Sequence, residues 1–242
     1  MHFHLPKPLH GWREFAGEVG IIVIGVLIAL GAEQAIDAVH RDGLQHEARE
    51  TIDGEVQQNL DAFRRRAEVQ PCIDNRLREI EALIVAPASE ERLPRPLWIG
   101  RPQVWTVTDS RWNAATSGAR TALLSASEQA SYGEIYDGLK VFAAAEDVEQ
   151  LAWARLRTLE TLSSVDAGSR WSLIAALHEA RYANFRIKVA SVQTQERART
   201  AGLTTGRSPY SEGSRSVCVP INTPRDSALR MTVRAGPVIA EP

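Results

Sequence analysis

Fourteen consecutive residues without a charge, Val19 to Ala32, lie between two glutamates in EVGIIVIGVLIALGAE, residues 18–33. Such a run must end in a membrane, in a protein core or in a cleaved leader, so it limits the fold before anything else does. As a helix it covers roughly 21 Å at about 1.5 Å per residue, short of the ~30 Å hydrocarbon layer of a bilayer. Phe15, Ala16 and Gly17 ahead of it and Gln34, Ala35 and Ile36 behind extend the apolar segment to residues 15–36, about 33 Å of helix. Glu18 and Glu33 then fall about one turn inside each end, where a carboxylate can reach the headgroups. Trp12 stands at the interface, as belt aromatics do. A surface helix keeps one polar face; this run is apolar all round, which argues for a transmembrane helix over 15–36 and against a core helix. Ala29-Leu30-Gly31 has the small-x-small form of a leader cleavage site, so a cleaved signal is the alternative. The apolar face that continues past that site and the glutamate ahead of the run speak against it.

Steps of three and four place Glu18, Ile22, Gly25, Ala29 and Ala32 on one helix face. Small residues there allow close helix–helix approach, so this is the candidate association face within the membrane. The competing reading of Glu18 is a boundary carboxylate directed to the headgroups.

The segment Gly17–Gln34, GEVGIIVIGVLIALGAEQ, resembles the signature of a family of uncharacterised single-pass bacterial membrane proteins. Its members carry Gly-Glu, an apolar run ending Val-Ile-Gly-Ile-Leu-Ile-Ala-Leu, and then a long charged helix. A second stretch, Trp112–Leu139, is similar to that family's aromatic–Ser-Gly–Leu–Leu–Tyr pattern. The two cover about a fifth of the chain. The family's Gln-Ile-Asn-Asn-Trp after the span is replaced here by GAEQA, Gly31–Ala35. The resemblance implies an anchored helical domain and no activity.

Orientation is nearly balanced by charge: Lys7 and Arg13 precede the span, Arg41 and Arg49 follow it. A short tail, the resemblance and two cysteines point to an N-terminus in the cytoplasm and a domain in the periplasm of a bacterial inner membrane. The expected organisation is a tail over 1–14, the span over 15–36, an all-α periplasmic domain over 37–200, and a flexible C-terminal tail over 201–242.

Leu44, Ala48, Ile52, Val56, Leu60, Phe63 and Ala67 recur at helical spacing, so the span is expected to run on into a long stalk helix packed in a bundle. Pro71 ends that pattern, and a new helix is expected over 72–86. Breakers from Pro87 to Pro102 lead into a loop, 97–108, with Trp98 and Trp105 as anchors. Asp109 is placed to cap a short helix ending at Gly118, and Ser125 or Ser127 with Glu128 to cap the next. Separate helices are expected near 147–164 and 169–200. The last carries a broad apolar face, Ile174, Leu177, Tyr182, Phe185, Val189 and Val192, that calls for more than one neighbour. Beyond Thr200 the chain is rich in Gly, Ser and Thr, except for the apolar island 217–221, VCVPI, which is expected to dock.

Cys72 and Cys218 fit no zinc or redox spacing. In an oxidising compartment they would pair, closing a loop of about 146 residues and contributing on the order of 4–5 kcal/mol in the chain-entropy model. In a reducing compartment they would be two free thiols.

The chain offers little catalytic chemistry. His178-Glu179 opens like a zinc HExxH motif, but position 182 is Tyr. His2, His4 and His10 are spaced as composition alone would place them, and His40 and His46 do not share a helix face. No phosphate loop, nucleophile elbow or dinucleotide fingerprint is present. Glu79–Glu81, the group Glu146, Asp147 and Glu149, and Arg64–Arg66 read as solvated helix faces. A net charge of -2 gives no electrostatic reason for nucleic acid as a partner. Trp112, Tyr132 and Tyr136 form a candidate groove, or else the aromatic core of a helical hairpin. No metal or cofactor is implied, and an enzyme is not expected. The expected partners are the lipid bilayer and either a second copy or another envelope protein. The function read from this is an anchored interaction or scaffold module. A ligand or envelope-stress sensor ranks second, because a tail of about 14 residues leaves no room for an output domain.

Overall fold

In a computed structural model the chain is all α, with no strand among the described residues, which are 11–85, 96–162, 166–204 and 215–232. The expectations for residues 1–10, Pro87 and Pro94, and the stretch 205–214 lie outside them. The α-helices are α1 (Gly11–Val85), α2 (Ser110–Ser117), α3 (Ala126–Leu156), α4 (Ala167–Thr200) and α5 (Arg225–Thr232). Two compact units divide the chain, Met1–Arg49 and Glu50–Pro242.

In the first unit α1 carries the apolar run, and none of it is buried: Ile21, Ile22, Leu27 and Ile28 are all exposed. The helix is long and apolar enough to cross a membrane. Glu18, Ile22, Gly25, Ala29 and Ala32 share its exposed surface, and a Cβ added at Gly25 would meet nothing.

In the second unit the rest of α1 packs with α3 and α4. Tyr132 contacts Asp53 and Phe142 contacts Phe63, with ring centroids 4.6 Å apart, so α3 runs parallel to α1. Arg181 binds Glu81 and Asn184 binds Gln70, so α4 runs antiparallel to both. Ile52, Val56, Leu60 and Phe63 are buried with Ile135, Leu139, Phe142 and Ile187; Val69, Ile73, Leu77, Ile80 and Ile84 are buried with Trp153, Leu156 and Leu177. Alanines line much of α4's inner face, at 176, 180, 183, 190 and 198.

The fold departs from three of the sequence expectations. Pro71 does not end the helix: α1 continues to Val85. Proline removes one hydrogen bond at a cost of ~3 kcal/mol or more. The carbonyl deprived belongs to Ala67, an exposed position that water can serve, while Val69, Ile73 and Leu77 bury on the other side. Ala67 is thus not a core residue; the buried face passes through Arg66 and Val69 instead. The helices expected around 128–142 and 147–164 are one, α3, followed by a 3-10 turn, Arg157–Glu160. Ala143-Ala144-Ala145-Glu146 at the supposed junction are strong helix formers and give no reason to break.

Other local features follow the sequence closely. Ser125 and Glu128 form a reciprocal capping box at the start of α3. Asp166 caps α4 by accepting the Ser169 N–H at 2.6 Å, two residues earlier than the start expected. Residues 96–109 form an extended loop with Trp98 and Trp105 buried as anchors. That loop runs back along α1, from Arg76 beside Trp98 to Asn59 beside Thr108. The C-terminal region also contains α5, which the composition of the tail did not suggest.

Candidate functional site

Four arrangements hold the polar and aromatic groups of the second unit. The first is a tie between chain segments far apart in sequence. The sulfurs of Cys72 and Cys218 lie at bonding distance, 2.11 Å. Beside them the Arg76 guanidinium is buried. It donates to the carbonyls of Trp98, Ile99 and Val219 and pairs with Glu79 at 2.7 Å. Burial lowers its pKa against the pull of Glu79. The Leu97 and Trp98 N–H groups donate to the Ile221 carbonyl, and the Trp98 indole donates to Ser216. Gly100 sits at φ +69, where a Cβ would strike the Ser216 carbonyl. Val217 and Val219, from the apolar island, are buried.

The second holds the aromatic residues singled out from sequence. The Trp112 ring stacks on Tyr136 at 5.2 Å and tilts against Tyr132 at 6.0 Å. Tyr136 donates to Glu55 and Tyr132 to Asp53. Glu55 also accepts from the Arg111 and Trp112 N–H groups, at 3.0 and 3.2 Å, and from the Ser110 hydroxyl. It therefore caps α2 from another helix, while Asp109, at the cap position, contributes no side-chain bond. Burial pushes Glu55 up, but these donors outweigh it and hold its carboxyl below the ordinary value. The Tyr136 hydroxyl is driven up by burial and by that carboxylate. The three aromatics are packed and bonded; the two grooves described below are lined by other residues.

A third arrangement corrects the reading of the charged clusters. Arg64 is exposed between Asp61 and Glu68, as a solvated face should be. Arg66, Glu146 and Glu149 are instead buried among α1, α3 and α4. Arg66 binds Glu149 at 2.6 Å and Asn184 at 3.1 Å. Asn184 then leads through Gln70 to Asp74 and Lys188 at the surface. Glu146 accepts the Trp105 N–H at 3.0 Å, and burial pushes its pKa up to about 8 despite that bond and Arg66. Burial raises Glu149 as well, against the attraction of Arg66. One guanidinium thus serves two buried carboxyls, Glu149 by a direct bond and Glu146 by charge alone. No sequence signal marked this, because i, i+3 carboxylates on a helix look alike whether they face water or a core arginine 80 residues away.

The fourth is a surface. On α4 the residues Trp171, Ala175, His178, Tyr182, Phe185, Val189 and Val192 follow the alternating four–three spacing of a heptad seam. They lie opposite the buried face. Trp171 is 72% exposed, Tyr182 63%, Phe185 60% and Val192 68%. The sequence reading merged this seam with the inner face. Leu177 is buried, whereas Tyr182, Phe185 and Val192 face out. The regular seven-residue repeat of Trp171, His178, Phe185 and Val192 was the signal that separates them.

Two open grooves accompany these. One of about 460 Å³ lies between α1 and the extended loop, among Asn59, Asp61, Arg65 and Trp105. Another of about 530 Å³ is lined by Arg101, Arg157 and Arg225 with Trp98 and Leu229. Among the described residues no group of three or more His, Cys, Asp or Glu is placed to hold a metal ion. The chain matches no protein-family model, no curated protein and no solved structure.

Proposed function

We propose that the chain is a single-pass membrane-anchored interaction module. Its N-terminus lies in the cytoplasm and its helical domain in the periplasm of a bacterial inner membrane. One observation carries the reading: Trp171, Tyr182 and Phe185 of the α4 seam are open to solvent, whereas Phe63, Trp98, Trp105, Tyr136, Phe142 and Trp153 of the same unit are buried. Monomeric soluble proteins seldom leave a patch beyond a few hundred Å² uncovered. Inside the unit, the Glu55 cap, the Arg66–Glu149 pair and the Arg76 tie hold segments together. The uncovered apolar run of α1 supports the anchor, and the Cys72–Cys218 pairing supports an oxidising compartment. A ligand sensor is the second reading, favoured by the arginine-lined groove beside the tied tail.

The test is a photo-cross-linking amino acid placed at Phe185 or Tyr182 in the full chain in its native membrane, with Arg78 on α1 as control. The reading expects an ultraviolet-dependent, higher-mass product from the α4 positions and none from Arg78. No product from either α4 position would remove the interaction reading.

A further inference from the structure

We infer that the occupant of the α4 seam is a second copy of this chain, paired with α4 antiparallel; this rests on the interaction reading and names its partner. Period is the first argument. Seven positions at alternating steps of four and three are what two helices need to interlock as knobs into holes. A globular partner with an irregular surface would not demand that spacing.

Area is the second. Taking about 200 Å² for a whole aromatic side chain, the exposed parts of Trp171, Tyr182, Phe185 and Val192 amount to roughly 500 Å² per copy. Two copies would therefore withdraw about 1,000 Å² from water, the lower bound for a specific interface. The exposed row on α3 adds to it. Glu134, Val141, Val148 and Arg155 follow one another at steps of seven, and the ends of that row pair with Arg197 and Glu179 of α4. Val141 and Val148, both about two-fifths exposed, thus border the seam.

Charge chooses the direction. A parallel, in-register pair would set Glu196 against its own copy and bring Arg181 toward Arg186. An antiparallel pair places Tyr182 against Phe185, Ala175 against Val192, and His178 against Val189. It also sets Glu179 beside Arg186 of the second copy, twice by symmetry, while Arg181 and Lys188, which approach across the other flank, are each neutralised by their own α1, through Glu81 and Asp74. Arg186 has no carboxylate partner among the described residues. Glu179 meets Arg155 of its own α3 in an exposed pair, both side chains being about half accessible, a contact of little energetic weight.

The experiment uses the full chain in mild detergent, with mass measured by sedimentation across a concentration series. Wild type is expected to reach twice the chain mass, and Phe185→Glu, at an exposed position, to weaken association about a hundredfold or more. Glu179→Arg and Arg186→Glu are each expected to weaken it roughly tenfold, and the double variant to return to near the wild-type constant. A wild-type chain that stays monomeric at tens of micromolar overturns the inference, and so does a dimer indifferent to Phe185→Glu. Singles that weaken without rescue in the double overturn the antiparallel register. In the native membrane, a cross-linked product containing a different protein overturns the second-copy assignment while leaving the interaction reading standing. No product at all removes both.

Discussion

Replacing Glu146 by glutamine should make the protein less sensitive to alkali and more stable than wild type at pH 9. In the folded state Glu146 titrates at about 8, against an ordinary value of 4.5, because its carboxyl is buried beside Glu149. A carboxyl raised on folding holds its proton better in the native state than in the unfolded one. Its contribution is fully present below the unfolded value, near 4.5, and is lost as pH rises through the folded value, near 8. Between pH 6 and 9 the loss comes to roughly 3 kcal/mol, at about 1.4 kcal/mol per pH unit. For a unit of this size that corresponds to a fall in Tm of roughly 6–12 °C. Glutamine keeps the carbonyl that accepts the Trp105 N–H and adds no charge. The variant should thus hold a nearly level Tm over that range and stand above wild type by a margin that widens by roughly 3 kcal/mol between pH 6 and 9. The assay is thermal unfolding followed by circular dichroism in detergent at half-unit pH steps. Parallel pH profiles for the two proteins would refute the argument, since they would mean that Glu146 has an ordinary pKa in the fold.

Further expectations concern the same framework. Glu149→Gln takes from the buried Arg66 guanidinium its direct carboxyl partner and should cost about 3–5 kcal/mol, measured by denaturant unfolding. Glu55 behaves oppositely to Glu146: its carboxyl is held below the ordinary value, so its contribution is present above pH ~4.5 and is lost as pH falls through the folded pKa. Glu55→Ala should therefore remove part of the acid sensitivity and cost roughly 2–3 kcal/mol at pH 7. Gly138→Ala should destabilise by about 1–3 kcal/mol, because the new methyl collides with the Thr194 hydroxyl, and Thr194→Ala in the same chain, which removes that hydroxyl, should recover part of the loss. Cys218→Ser should lower stability by about 4 kcal/mol in the chain-entropy model and expose residues 215–232 to limited proteolysis.

The fold was readable wherever the information is local. The apolar run, the Ser125–Glu128 box and the helix of Asp109–Gly118 are each written in a few adjacent residues, and α1, α2 and α3 begin or end close to where those signals lie. Readings that depended on what lies across the bundle went astray. Pro71 looked like a terminator because its cost is local, while the burial of Val69, Ile73 and Leu77 that offsets it is tertiary. Glu146 and Glu149 looked solvated because nothing near them in sequence shows Arg66. The cysteines were legible as a pair only through compartment reasoning, and the Arg76 tie that accompanies them had no signature at all. A single guanidinium reaching three carbonyls depends on where the loop and the tail return. On α4 the seam was present in the spacing but was read as one wide face. Telling an inner stripe from an outer one needs the neighbours.

The most direct test of the anchored, outward-facing domain is thiol labelling of spheroplasts with a membrane-impermeant reagent, with and without prior reduction, alongside membrane fractionation. The account predicts that the protein stays with the membrane and that Cys72 and Cys218 label only after reduction, with the membrane intact. Labelling that appears only once the membrane is broken would place the domain on the cytoplasmic side and contradict both the orientation and the disulfide.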